Sequence, residues 1–109
     1  MSKQVKVVAL INKKNADMTD EEFMQYWLNN HAPLLLKLKN LKTYRINTYI
    51  DEYQDFEKLP YIGSAELYWD SVDAMKEDFA SEQWAEAGKD GTTFLDGFHL
   101  YMEEHIIKP

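Results

Sequence analysis

The chain has 109 residues, 45% hydrophobic and 14% aromatic, which is typical of one small globular domain spanning residues 1–109. Its formal net charge of −7 argues against nucleic-acid binding, which needs a basic stripe, and against binding to an anionic membrane surface. The absence of cysteine excludes disulfides, thiolate catalysis and Cys-ligated zinc.

The first predicted element is a strand at residues 4–13, "QVKVVALINK". Alternation puts Val5 and Val7 on one face and Val8 and Leu10 on the other, so both faces are apolar. Such a strand is central in its sheet and covered on both sides. The apolar run is too short for a signal peptide or a membrane span, and we expect a cytoplasmic protein.

The first helix is predicted to begin at Thr19, which forms a capping box with Glu22. An apolar stripe follows at helical spacing: Phe23, Tyr26, Trp27, His31, Leu34, Leu35 and Leu38. Pro33 cannot donate to the carbonyl of Asn29, and it disfavours helical angles at Ala32. We therefore expect a break or strong kink near His31, with Pro33 able to start a new helical turn.

The remaining pattern completes a β-α-β-β-α-β order. Strands are predicted at 41–50 and 61–69, joined by the polar segment 51–60. A helix capped by Asp70 or Ser71 follows, then a short helix begun by Ser81 and ending by Gly88, then a strand at 97–107. This order predicts an α+β ferredoxin-like fold, an antiparallel four-stranded sheet with its helices on one face. The uncovered face favours a homodimer in which two sheets form a shared barrel.

Several segments together resemble the EthD family, named for a component of ethyl tert-butyl ether degradation. They are "MTDEEFMQYWLNNHAPLLLKL", "LKTYRIN", "AELYWDSVDAM" and "AGKDGTTFLDGF…MEEH". The resemblance implies a dimeric α+β barrel with a pocket for a hydrophobic small molecule. Relatives are similar to lactone isomerases, aromatic polyketide cyclases and dehydratases. Segment 51–60 is acidic and aromatic rather than basic or glycine-rich, and we expect it to cover one end of the pocket.

His31 is the candidate catalytic residue, because an inward-pointing imidazole can act as a general acid or base. The alternative is a core histidine that donates to the freed carbonyl near Asn29. Trp27 lies one turn before His31 and should be beside it, whereas Tyr26 should lie at the edge of the stripe with its hydroxyl toward a cleft. Tyr26 and Trp27 are candidate binding residues, although each could serve only the core.

Polar residues in the middle of the later strands are the other candidates. Asn47 and Glu66 could converge on a ligand or make hydrogen bonds between subunits. His99 shares this mid-strand position, while Glu103, Glu104 and His105 are expected at the rim. An apolar pocket wall is expected from the larger side chains Trp27, Leu35, Trp69, Phe79 and Phe94.

We expect neither a metal nor a cofactor. The three histidines, His31, His99 and His105, lack H-x-x-x-H or H-x-H spacing. Neither G-x-G-x-x-G nor a P-loop occurs.

The leading hypothesis is a cofactor-independent isomerase, cyclase or dehydratase acting on an apolar, aromatic or lactone-like molecule. His31 would transfer the proton, and Tyr26, Asn47 or Glu66 would orient a carbonyl or hydroxyl group. Two alternatives stay open: a non-catalytic binding or accessory protein of an oxidative degradation pathway, and a cofactor-free oxygenase.

Overall fold

The computed structural model describes residues 4–50 and 61–109, so the segment 51–60, expected to cover the pocket, lies outside the described residues. The strands are β1 Gln4–Lys13, β2 Thr43–Thr48, β3 Gly63–Trp69 and β4 Leu95–Glu104. The helices are α1 Asp20–Tyr26, α2 Ala32–Leu35, α3 Val72–Phe79 and α4 Glu82–Phe94, and a π-helical turn, Trp27–His31, joins α1 to α2. No helix in the described ranges is both long and apolar enough to cross a membrane.

The four strands form one antiparallel sheet in the order β2-β3-β1-β4. Val7 of β1 lies opposite Leu67 of β3 and Tyr101 of β4, which fixes the register across the sheet. Val5, Val7, Ala9 and Ile11 are all buried against the helices. The ferredoxin-like α+β fold predicted from the sequence is confirmed, with β1 in a central position.

The first helix starts as predicted and then passes Pro33 without a break. Thr19 and Glu22 form the capping box. Ala32 keeps helical angles, with φ −53° and ψ −42°, so the expected departure from helical geometry at this residue is wrong. The helix instead widens into the π-helical turn before Pro33. In this turn the N–H of Ala32 donates to the carbonyl of Trp27, five residues earlier. Widening accommodates the missing N–H of Pro33 while the helical layer stays continuous.

The second correction concerns α4, which begins after the predicted cap, Ser81, but continues to Phe94 rather than ending by Gly88. A glycine inside a helix costs about 1 kcal/mol relative to alanine, which is why the sequence favours an early end. Burial of Ala87, Gly91 and Phe94 against the core offsets that cost. The last strand accordingly begins at Leu95 rather than at 97.

The sheet face opposite the helices carries a polar cluster. The Lys6 ammonium donates to Glu66 Oε1 at 3.0 Å and to Glu104 Oε1 at 3.4 Å. The Tyr68 hydroxyl lies 3.2 Å from both carboxylates, and Asn47 Nδ2 donates to Glu66 Oε2 at 2.9 Å. The hydrogen bond from Asn47, assisted by Lys6, lowers the pKa of Glu66 from its usual value of 4.5.

Beside this cluster the same face is apolar. Leu10 and Val8 of β1 lie opposite Phe98 and Leu100 of β4, and Met102 continues the row. Phe98 is 49% exposed and Met102 is 45% exposed, so these side chains lack a cover within the described part of one chain. We refer to Val8, Leu10, Phe98, Leu100 and Met102 as the open apolar face.

The lowered pKa of Glu66 predicts how stability depends on pH. A carboxylate ionised more easily in the folded state contributes stability above its unfolded pKa, and that contribution is lost as pH falls through the folded pKa. We therefore expect wild-type stability to decline more steeply below pH 4.5 than that of Glu66→Gln. Urea unfolding followed by tryptophan fluorescence across this range measures the difference.

Asn47→Ala serves as the matched variant, because it removes the hydrogen bond that contributes most to the lowered pKa but leaves the carboxylate in place. Its pH profile should lie between those of the wild type and Glu66→Gln. Identical slopes for the wild type and Glu66→Gln would contradict this account of the cluster.

Candidate functional site

A cavity of about 330 Å³ lies between the helix-side face of the sheet and the helical layer. This volume is at the lower end of the range for small-molecule sites. The space exists because small residues line both layers, namely Ala9, Ala65, Ala87, Gly88, Gly91 and Gly97. The larger apolar lining side chains are Val7, Ile11, Trp27, Leu35, Leu67, Trp84 and Leu95.

His31, at the end of the π-helical turn, lines this cavity and is 8% exposed. Its Nδ1 lies 2.9 Å from Asp90 Oδ2, and the Phe94 ring packs edge-on at 5.2 Å between centroids. No described residue makes a hydrogen bond to Nε2. A Cβ added at Gly91 would lie 3.4 Å from Cε1 and 4.0 Å from Nε2, so the absence of a side chain there leaves this edge of the ring uncrowded.

Asp90 of α4 holds the imidazole in one orientation. Its Oδ1 accepts a hydrogen bond of 2.5 Å from the Tyr26 hydroxyl, while Oδ2 faces His31. Donation to Asp90 raises the pKa of Tyr26, which keeps the phenol protonated as a donor. A carboxylate only accepts hydrogen bonds, so the neutral imidazole carries its proton on Nδ1 and its lone pair on Nε2. The Nε2 lone pair is therefore not engaged by any described residue.

Asp90 was missed as a site residue by sequence reasoning. It lies 59 positions from His31, and a helix ending by Gly88 would not have placed it in the helical layer. The usable signal was helical spacing, since Asp90 follows the apolar Ala87 by three residues and precedes Phe94 by four. The alternative reading of His31, donation to the backbone near Asn29, is replaced by this side-chain pair.

The predicted aromatic residues divide between the cavity and the core. Trp27 and Leu35 line the cavity, whereas Tyr26 is linked to it only indirectly, through Asp90 and then His31. Trp69 is fully buried and its Nε1 donates to Asp78 Oδ2 at 2.7 Å, so it serves the core behind the site. The other two expected wall residues, Phe79 and Phe94, pack against residues of the lining without belonging to it.

Asn47 and Glu66 are not brought to His31. They share the polar cluster with Lys6 on the opposite face of the sheet and hydrogen-bond to each other. This corrects the expectation that either could orient a ligand beside His31 within one chain. The reason is alternation: neighbours of Glu66 such as Leu67 point to the helices, so Glu66 points away.

Two further residues of the strands do reach the cavity. His99 of β4 lines it, and burial lowers the pKa of this imidazole. Tyr44 of β2, which the sequence reasoning did not single out, also lines it. Its hydroxyl is buried without a hydrogen-bond partner among the described residues, and burial raises the pKa of Tyr44 to about 12. In residues 4–50 and 61–109, no three His, Asp or Glu side chains are grouped closely enough to hold a metal ion.

Comparisons with known proteins agree with this architecture. The EthD domain matches residues 15–97 of the chain. An EthD family protein from Bacillus halodurans superposes with a TM-score of 0.75 at 21% identity, covering 94% of this chain and 99% of the other. No curated protein matches the chain.

Two other solved structures share the fold at lower identity. SnoaB, a cofactor-independent oxygenase from Streptomyces nogalater, has a TM-score of 0.70 at 11% identity, with 98% of each chain covered. A dimeric protein of unknown function from Bacteroides fragilis has a TM-score of 0.63 at 12% identity, with 94% of this chain and 96% of the other covered. At 11% and 12% identity, these likenesses show a shared fold and nothing more.

The Asp90 contact predicts the tautomer of His31. In the neutral ring we expect the Nδ1–H form, which long-range ¹H–¹⁵N correlation spectra distinguish from the Nε2–H form. In Asp90→Asn, the amide oxygen should accept from Tyr26 and the amide nitrogen should donate to Nδ1, which reverses the tautomer. Tyr26→Phe is the control and should keep the Nδ1–H form. An Nε2–H ring in the wild type would contradict the assignment.

Proposed function

The chain belongs to the EthD domain family, and from that premise we propose a cofactor-independent enzyme that binds an apolar organic molecule in the cavity and transfers protons with His31. One observation carries the proposal. His31 lines an apolar cavity, Asp90 occupies its Nδ1, and no described residue makes a hydrogen bond to its Nε2. An imidazole held by a carboxylate on one nitrogen is equipped to act as a base through the other.

In the proposed reaction, His31, Asp90 and Tyr26 each have a separate role. Nε2 of His31 removes a proton from the bound molecule and becomes part of an imidazolium. Asp90 stabilises the positive charge through the Nδ1–H hydrogen bond, and Tyr26 keeps the carboxylate in place. Return of the proton to another atom of the substrate gives isomerisation, and its transfer to a departing hydroxyl group gives dehydration with release of water.

The walls of the cavity support a largely apolar substrate. Trp27, Leu35 and Trp84 provide broad hydrophobic surface around His31. Such surface excludes water from the base and strengthens its electrostatic interaction with Asp90. General acid–base catalysis of this kind contributes about 10²- to 10⁴-fold in rate.

A cofactor-free oxygenase is the second candidate, and the fold of SnoaB, described as a cofactor-independent oxygenase, favours considering it. The same base would then deprotonate an electron-rich substrate that reacts with oxygen. Oxygen consumption during turnover separates this reaction from simple proton transfer. Binding without turnover would favour the non-catalytic alternative, an accessory protein of an oxidative degradation pathway.

We also propose that the protein acts as a homodimer in the cytoplasm. Support comes from the open apolar face, where Phe98, Leu100 and Met102 remain more than a third exposed. An apolar sheet surface of this kind is typically covered by another layer. The Bacteroides fragilis neighbour is described as dimeric, which agrees with a second copy as the cover.

The base is tested by His31→Gln across a panel of enol-lactones, unsaturated lactones and β-hydroxyketones. We expect turnover of the accepted substrate to fall by about 10²- to 10⁴-fold, since the amide can still contact Asp90 but cannot take up a proton. Rates are measured by ultraviolet absorbance, with oxygen uptake recorded in parallel.

His105→Gln is the matched control, because this histidine is 65% exposed and lies outside the cavity lining. It should retain the wild-type rate. Equal turnover by the wild type and His31→Gln would refute the assignment of His31 as the base. Calorimetric binding by the wild type with no turnover of any panel member would favour the binding-protein alternative over the enzyme.

The dimer is tested by Leu100→Glu, which places a charge in the middle of the open apolar face. We expect the wild type to scatter light at twice the chain mass of 12.9 kDa and the variant at the chain mass. Leu36→Glu is the control, because Leu36 is 70% exposed and lies beside α2 on the helical side of the sheet. This variant should remain dimeric. A monomeric wild type would contradict the proposed assembly.

A further inference from the structure

We propose that the Tyr44 hydroxyl binds an oxygen atom of the ligand, and that the site selects an uncharged, largely apolar molecule bearing a carbonyl group. This inference rests on the proposed function, which it deepens by assigning the ligand's chemistry and a second polar contact. His31 supplies the base from the helical layer, and Tyr44 supplies a donor from the sheet.

The unsatisfied hydroxyl is the observation behind the inference. More than nine tenths of buried polar groups in proteins have hydrogen-bond partners, and leaving one unpaired is destabilising. The Tyr44 hydroxyl is buried and has no partner within the described residues. Tyr44 also lines the cavity that His31 lines. Because Tyr44 belongs to the cavity lining, a molecule that the cavity binds can supply the partner that this hydroxyl lacks.

The protonation state of Tyr44 defines the complementary group. With a pKa of about 12 caused by burial, the phenol remains neutral at physiological pH and donates its proton to an acceptor. An oxygen atom of a carbonyl or hydroxyl group is such an acceptor. An apolar hydrocarbon would leave the hydroxyl unpaired and would be bound less favourably.

The charges of the lining argue against an anionic ligand. Among the described lining residues there is no lysine or arginine, and Asp96 is one of them. A carboxylate or phosphate would therefore lose its hydration without gaining a permanent countercharge, which is strongly unfavourable in an apolar cavity. The volume of about 330 Å³ and the apolar walls fit a molecule of one or two rings.

The presence of Tyr44 and His31 in the lining of one cavity also specifies which proton of the ligand is removed. Donation from Tyr44 to a carbonyl oxygen polarises the carbonyl and stabilises negative charge on that oxygen. Nε2 of His31 then takes the proton from the adjacent carbon: the C–H bond breaks, an N–H bond forms, and the electron pair moves through the new C=C bond onto oxygen. The product of this step is an enolate hydrogen-bonded to Tyr44, which returns to a carbonyl compound when reprotonated.

The test compares two probes of nearly equal shape, 1-tetralone and the corresponding hydrocarbon tetralin. Dissociation constants are measured by ligand-observed NMR titration for the wild type and Tyr44→Phe. We expect Tyr44→Phe to weaken 1-tetralone binding about tenfold, the effect of one hydrogen bond, and to leave tetralin binding unchanged. Tyr101→Phe, on an exposed ring outside the cavity lining, should change neither constant.

A second measurement distinguishes ligand binding from a purely structural role. Because the hydroxyl is unpaired in the free protein, Tyr44→Phe should unfold at a temperature no lower than the wild type. Equal weakening of both probes, unchanged binding of 1-tetralone, or failure of the wild type to bind either probe would each overturn the inference.

The two proposals fail separately. If Tyr44→Phe loses oxygen-specific binding while His31→Gln keeps full turnover, the ligand contact stands and the base assignment falls. If His31→Gln loses turnover while Tyr44→Phe binds 1-tetralone as the wild type does, the base stands and the ligand contact falls.

Discussion

The arrangement of the site depends on one carboxylate. Asp90 accepts from Tyr26 at the end of α1 and from His31 at the end of the π-helical turn, so one side chain of α4 fixes two consecutive parts of the first helical region. With both oxygens occupied by donors, the proton of the neutral imidazole is confined to Nδ1, and the other ring nitrogen has no hydrogen-bond partner among the described residues. The fold thereby fixes the orientation of the imidazole that we propose as the base.

The π-helical turn determines where the His31 imidazole points. Inside a regular helix Pro33 would leave an unpaired carbonyl and a steric clash, whereas the wider turn before it absorbs the lost hydrogen bond. The extra width sets the direction of His31 relative to Trp27, and both side chains end in the same cavity. Wide turns of this type occur often at functional sites, because they store a local departure from ideal geometry that the surrounding packing maintains.

The cavity itself is formed at a cost in stability. Gly88 and Gly91 weaken α4, and the Tyr44 hydroxyl is buried without a partner in the described residues. Filling the space or pairing the hydroxyl internally would stabilise the free protein, and either change would remove what a ligand needs. These departures from optimal packing line the same cavity as His31, which supports our proposal that the cavity binds a ligand.

The amino-acid sequence by itself determined the order of the elements, the caps at Thr19 and Ser81, the ferredoxin-like fold and the inward direction of His31. These features follow from periodicity and capping, which act over a few residues. Only the tertiary structure decided that α4 continues past Gly88, that Asp90 meets His31, and that Asn47 and Glu66 face away from them. Burial against the core overrides the helix-breaking tendency of glycine, and the face on which a strand residue lies depends on which side the helices pack. Neither effect is encoded in neighbouring residues, because both arise from contacts between segments far apart in the chain.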